Sequence, residues 1–192
     1  MADLIRQWNI FFRASFSRDS RNRLFESIWE SYHGKIAVFV RSIVKNRHSE
    51  TADITQDIMV KVYNNLHTYN PVYSFSTWIY RIARNHCLDI LNKKSPAARS
   101  VSIDLPDGAF DIKDTAAGQD FRLISKEQND LIRAYLETLN ETDRQISFLR
   151  FYEGMKYIHI GSILNIPEGT VKYQVHTIRS GLKQYLEQYN ES

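Results

Sequence analysis

Residues 157–186 read YIHIGSILNIPEGTVKYQVHTIRSGLKQYL. Ile160, Ile163 and Leu164 fall on one face of a short helix. Asn165 follows, and asparagine tolerates the left-handed backbone that a tight inter-helix turn needs. Ile166 is placed to plug the angle between two helices, and Pro167 suits a helix start, where its missing N–H donor costs nothing. A second helix then buries Val171, Val175, Ile178, Leu182 and Leu186. Its opposite face carries Lys172, His176, Arg179 and Lys183 at steps of four, three and four. An apolar stripe and a basic stripe on a helix that follows a tight turn meet the needs of major-groove docking. The cations neutralise phosphate, and the helix N-terminus adds partial positive charge. The same pattern also fits a helix pair that only packs, with a solvated basic face.

Upstream, Leu131, Ile132, Tyr135, Leu136 and Leu139 keep helical spacing. Between about residues 95 and 125 neither helical nor strand periodicity persists. Pro96, Pro106, Gly108 and Gly118 punctuate that stretch, and Asp104, Asp107, Asp111, Asp114 and Asp120 charge it, so it reads as a connector. Before it lie three amphipathic helices. The first, over 24–44, carries Leu24, Phe25, Ile28, Trp29, Tyr32, Ile36, Phe39, Val40 and Ile43 inward; the second, over 50–66, carries Ile54, Ile58, Val62 and Leu66. Asn70-Pro71 is a turn signal. The third, from Ser76 to Asn92, turns Ile79, Ile82, Ala83, His86 and Ile90 inward. With no strand alternation and no internal repeat, the chain reads as all-α, in two small domains.

Charge follows the same division. Residues 1–99 hold 15 Lys/Arg against 8 Asp/Glu, residues 100–130 hold 3 against 7, and residues 131–192 hold 7 against 7. A basic front, an acidic middle and a neutral back suggest different partners. Cys87 is the one cysteine, so no intrachain disulfide forms and no cysteine-based metal site is expected; a reducing, cytosolic compartment fits. No apolar run of about 18 residues is present, and the N-terminus does not read as a signal peptide. No metalloprotease, phosphate-loop or nucleophile-elbow motif points to an enzyme.

In the front block, Tyr73, Phe75, Trp78 and Tyr80 stand beside Arg81, Arg84 and Asn85, with the cations outward. Cations beside aromatics suit single-stranded nucleic acid, which needs charge for phosphates and rings for bases. Trp78 reads as core, whereas Phe75, between two serines, is expected to be exposed. Asp53, Gln56, Asp57 and Lys61 form a polar stripe opposite Ile54 and Ile58. The two carboxylates have no third ligand near them for a metal, and the stripe reads as a solvated or partner-docking face.

Residues 52–94, ADITQDIMVKVYNNLHTYNPVYSFSTWIYRIARNHCLDILNKK, resemble the second region of bacterial extracytoplasmic-function (ECF) sigma factors. The family's D-L-x-Q-[DE] stretch stands here as Asp53-Ile54-Thr55-Gln56-Asp57. Its F-x-[ST]-W-[LI]-Y-R-I-A-R-N stretch runs from Phe75 to Asn85. Residues 139–186 resemble the family's fourth region, with its I-P-x-G-T-V-K signature at Ile166–Lys172. Asn165 stands where glycine is usual, Tyr173-Gln174 where Ser-Arg is frequent, and His86-Cys87 where a small residue is usual, so the recognition helix is less basic than many.

The resemblance implies an N-terminal extension over 1–21, a region-two domain over 22–95, an acidic linker over 96–127 and a region-four helix-turn-helix domain over 128–188. It implies an RNA polymerase specificity subunit without a cofactor. Core polymerase would be bound through Asp53, Gln56 and Asp57. The melted −10 element would be read as single-stranded DNA through Phe75, Arg81, Arg84 and Asn85. The duplex −35 element would be read through Glu168, Gly169, Thr170, Lys172, Tyr173, His176, Arg179 and Lys183. An anti-sigma factor that occludes polymerase-binding faces is a usual partner of such proteins, which work in the cytoplasm without membrane insertion. The competing reading is a free-standing helix-turn-helix regulator, which predicts tight duplex binding without polymerase. The neutral back block argues against it.

The acidic connector is expected to run through a basic polymerase channel; a solvated tether is the alternative. Asp→Asn changes at Asp104, Asp107, Asp111 and Asp114 should weaken assembly with core polymerase, most at low salt where screening is least. Affinity titrations across salt concentrations check this, and equal affinity at every salt leaves the tether.

Overall fold

The computed structural model describes residues 18–44, 48–70, 74–92 and 126–190. Every regular element among them is helical. The expected connector, and Trp8, Phe11 and Phe12 of the expected extension, lie outside the described residues. The chain divides into two compact units, Met1–Ile112 and Lys113–Ser192.

The first unit holds α1 (Arg18–Ile43), α2 (Thr51–Asn65) and α3 (Phe75–Asn92), each packed on the other two. Ile36, Phe39 and Val40 of α1 meet Ile58, Met59 and Val62 of α2 and Ile79, Tyr80 and Ala83 of α3, all fully buried. Side chains at i, i+3 and i+4 share a helix face, which is why the apolar residues converge on one core. The α1 helix begins six residues before its apolar period does. The polar stretch Arg18–Arg23 is held by α2: the Tyr63 hydroxyl donates to Asn22 Oδ1 at 2.9 Å, and the Arg21 guanidinium lies 4.5 Å from the Tyr63 ring centroid. A 3-10 turn, His48–Glu50, leads into α2, and another, Leu66–Thr68, leaves it.

In the second unit, α4 (Lys126–Thr138) is followed by α5 (Glu141–Ser147), a π-turn (Phe148–Tyr152), α6 (Tyr157–Leu164) and α7 (Glu168–Asn190). Asn140 caps α5: its Oδ1 accepts from the Asp143 N–H at 2.9 Å while its Nδ2 donates to Asp143 Oδ2 at 2.7 Å. The Tyr135 hydroxyl of α4 donates to the Ile178 carbonyl of α7 at 3.1 Å.

The α6–α7 turn is the helix-turn-helix expected from sequence. Asn165 takes the left-handed conformation (φ 54, ψ 47), and the Ile166 N–H donates back to the Gly161 carbonyl at 3.0 Å. Pro167 gives up its carbonyl to the first bond of α7, from the Val171 N–H at 3.1 Å. Val171, Val175 and Ile178 are buried, and Leu182 and Leu186 are half-buried toward the end of the helix. Gly161 is buried because a Cβ there would come within 2.6 Å of the Ile166 carbonyl oxygen, which is backbone and has nowhere to go.

Gly161→Ala should therefore destabilise the chain by about 1–3 kcal/mol through this overpacking. Gly34→Ala has open space in the exposed interior of α1, and should stabilise by about 0.5–1 kcal/mol through helix propensity. Thermal denaturation of the two variants checks the opposite signs; equal effects would sink the turn argument.

Candidate nucleic-acid interface

The tight turn fixes where the outer face of α7 points. With Val171, Val175 and Ile178 held in the core, Glu168, Gly169, Thr170, Lys172, Tyr173, His176, Arg179 and Lys183 are all exposed. Their arrangement is the one the 3.6-residue period demands. Tyr173 stands out, its ring 72% exposed two residues beyond the buried Val171. A phenol there offers an apolar ring and a polar tip to a base edge. The basic side chains differ in what holds them. Lys183 lies 3.7 Å from Glu187 one turn on, both well exposed, so the pair contributes little. The Arg179 guanidinium lies over the Phe151 ring, 5.4 Å from its centroid. On α6, burial and the neighbouring Lys156 hold the His159 imidazole below its usual pKa, so it adds no charge at neutral pH.

In the first unit, α2 turns Asp53, Gln56 and Asp57 to solvent while Ile54 and Ile58 enter the core. Sequence reading missed a fourth member of the stripe. Val60 is exposed and lies three and four residues after Asp57 and Gln56, so it extends the same face with an apolar side chain. The alternation of exposed and buried positions along α2 was the available signal. Two charge contacts tie α2 to α3: His86 Nε2 lies 3.8 Å from Asp57 Oδ2, and Lys61 Nζ lies 3.9 Å from Asp89 Oδ2.

The aromatic end of α3 departs from expectation in one respect. Phe75 is not exposed. It opens the first turn of α3 at 7% exposure, with ring centroids of Tyr69, Trp78 and Tyr32 at 5.2, 5.4 and 5.5 Å. The reason is register: Phe75 and Ile79 are one helical turn apart, so the ring follows Ile79 into the core. The flanking serines suggested a loop, but the Ser74 carbonyl already accepts from the Trp78 N–H at 3.1 Å. Trp78, expected in the core, is half-buried, and its ring stands beside Tyr69 at 5.4 Å. Burial, with Tyr32 adding to it, pushes the Tyr69 phenol up to about 12, so that hydroxyl keeps its proton. Arg81, Arg84 and Asn85 are half-buried along the following turns of α3. Phe75 thus supports this end of the unit from below, and the half-buried rings and cations form its surface.

Comparisons with known proteins agree with this architecture in both units. The family model for Sigma-70 region 2 matches residues 28–96, and that for Sigma-70, region 4 matches residues 129–180. The ECF RNA polymerase sigma factor SigW of Bacillus subtilis (strain 168) is 31% identical over 167 residues, which cover 84% of this chain and 88% of that protein. SigX of the same organism is 25% identical over 167 residues, covering 87% and 86%. Among solved structures, the sigma factor RpoE of Bartonella quintana, in complex with the anti-sigma factor NepR, superposes with a TM-score of 0.60 at 20% identity, over 85% of this chain and 96% of that one. Both helical units, in order and over most of their length, are those of one family: the chain belongs to the ECF sigma factors of RNA polymerase.

Proposed function

We propose that this sigma factor docks on core RNA polymerase through the α2 stripe and reads the promoter with two surfaces. The duplex −35 element meets the outer face of α7, and the melted −10 element meets the surface of α3 around Arg81, Arg84 and Asn85. The observation that carries this reading is the row from Glu168 to Lys183, wholly exposed and set by the buried Val171, Val175 and Ile178. The first turn of such a helix enters the groove, and the next turn meets phosphates.

The N-terminal domain over 22–95 and the helix-turn-helix domain over 128–188 then divide the work, and the segment 96–127 joins them. The acidic and amide side chains of α2 suit a basic polymerase surface. An anti-sigma factor is a fitting regulator, since the fold is shared with RpoE, whose solved complex contains one. The site of action is the cytoplasm, where the polymerase is, and among the described residues no helix is long and apolar enough to cross a membrane. The free-standing regulator is not favoured, because family matches in both units leave no separate sensory domain among the matched residues.

Asp53→Arg combined with Asp57→Arg should keep the fold, as both side chains are exposed. It should weaken core-polymerase binding by about a hundred-fold, because like charges brought together at an interface cost several kcal/mol. A pull-down with core enzyme that matches wild type would overturn the docking assignment.

On α7, substituting a base-reading residue such as Tyr173 or Lys172 should relax preference at one base pair of the −35 element by about 1–3 kcal/mol. Lys183→Ala should weaken binding to all sequences alike, with a shallower salt dependence. Selection from a randomised promoter pool by the reconstituted holoenzyme separates the two classes. If every variant behaved like Lys183→Ala, no direct readout would be taking place on this helix.

A further inference from the structure

We infer that Phe151 is a positioning residue for −35 binding: its ring holds the Arg179 guanidinium in place on the outer face of α7. This rests on the reading of α7 as the −35 surface and adds to it a residue outside the recognition helix.

Phe151 belongs to the π-turn Phe148–Tyr152, and that turn is fixed from several sides. The Glu153 N–H donates to the Phe148 carbonyl at 3.1 Å, the five-residue bond that defines the turn, and the Met155 N–H donates to the Leu149 carbonyl at 2.9 Å. Arg150 Nη1 donates to the Met155 carbonyl at 2.8 Å, and the Arg150 guanidinium also lies 4.7 Å from the Tyr157 ring centroid. Gly154 takes a left-handed backbone (φ 68), which lets the chain reverse after the turn. Leu149 is fully buried and Phe148 nearly so. The half-buried Phe151 ring therefore stands on a rigid base while Arg179 comes from a different helix to lie over it.

A flexible arginine loses side-chain entropy when it grips a phosphate. A ring beneath it lowers that loss by ordering the side chain beforehand. The ring engages the face of the guanidinium, so the N–H groups at its edge stay directed to a phosphate. A carboxylate partner would instead occupy those donors, as Glu187 does beside Lys183.

The test measures the affinity of the full-length holoenzyme for a labelled promoter duplex recovered from a randomised −35 pool by the wild-type holoenzyme. Phe151→Leu keeps apolar bulk and removes the ring; it should weaken binding two- to five-fold, about the strength of an exposed cation–π contact. Phe151→Tyr keeps the ring and should bind as wild type. Phe151→Met, a second ringless variant, should repeat the loss. In an Arg179→Ala background Phe151→Leu should add nothing further. Wild-type affinity for both ringless variants, or an equal loss with and without Arg179, overturns the inference while Arg179→Ala itself remains weakened. Wild-type affinity for Arg179→Ala overturns the phosphate-contact reading of Arg179, and the role of Phe151 with it.

Discussion

The backbone contact between Gly161 and Ile166 governs the C-terminal unit. A hydrogen atom at Gly161 fits beneath the Ile166 carbonyl and a methyl group does not. That close approach, with the left-handed Asn165 between the two, sets the angle at which α7 leaves α6. The angle in turn decides which face of α7 meets the core. Once Val171, Val175 and Ile178 are committed inward, the outward row from Glu168 to Lys183 has no freedom left in its placement. Asparagine supplies the left-handed residue here, at a modest steric cost relative to glycine that a buried turn with its own hydrogen bond offsets.

The N-terminal unit solves a different problem. Three helices must share one core and still leave two faces for partners. The polar stripe on α2 and the cations on α3 are both available because the unit buries large rings instead of many small side chains. Tyr80 is fully buried, with the Phe39 ring at 5.1 Å and the Tyr32 ring at 6.4 Å, both edge-on. Aromatic pairs in that geometry contribute about 0.5–1.5 kcal/mol beyond the area they bury. A small three-helix unit gains from such residues, since its core alone supplies only about 3–5 kcal/mol.

Much of this was legible in the sequence, and the reasons are local. A helix face repeats every 3.6 residues, so Ile54, Ile58 and Val62, or Val171, Val175 and Ile178, declare their burial without knowledge of any neighbour. Asn165 and Pro167 are turn signals in their own right. What periodicity could not give was whatever depends on a second element. Arg18–Arg23 shows no apolar period, and is helical because Tyr63 of α2 holds Asn22 and Arg21. Phe75 looked like a loop residue between serines, and is buried because α3 starts one residue earlier than its pattern. Phe151 carried no signal, since neither the π-turn nor the approach of Arg179 follows from local spacing.

The sparse basic charge of α7 fits a protein that does not bind promoters alone. Residues 131–192 carry equal numbers of basic and acidic side chains, and of the basic row Lys183 is partly offset by Glu187. Duplex affinity rises with the number of phosphates neutralised, so a face with so few cations binds weakly by itself and falls off quickly with salt. Weakness is useful where the chain is carried on polymerase. Once one unit is held on the enzyme, the other meets its site at a high effective concentration, and the two contacts multiply without either being strong. A more basic helix would instead hold the chain on nonspecific duplex away from polymerase. In that setting small, local ordering effects count for more than added charge: with few phosphate contacts available, each has to be made by a side chain already in position.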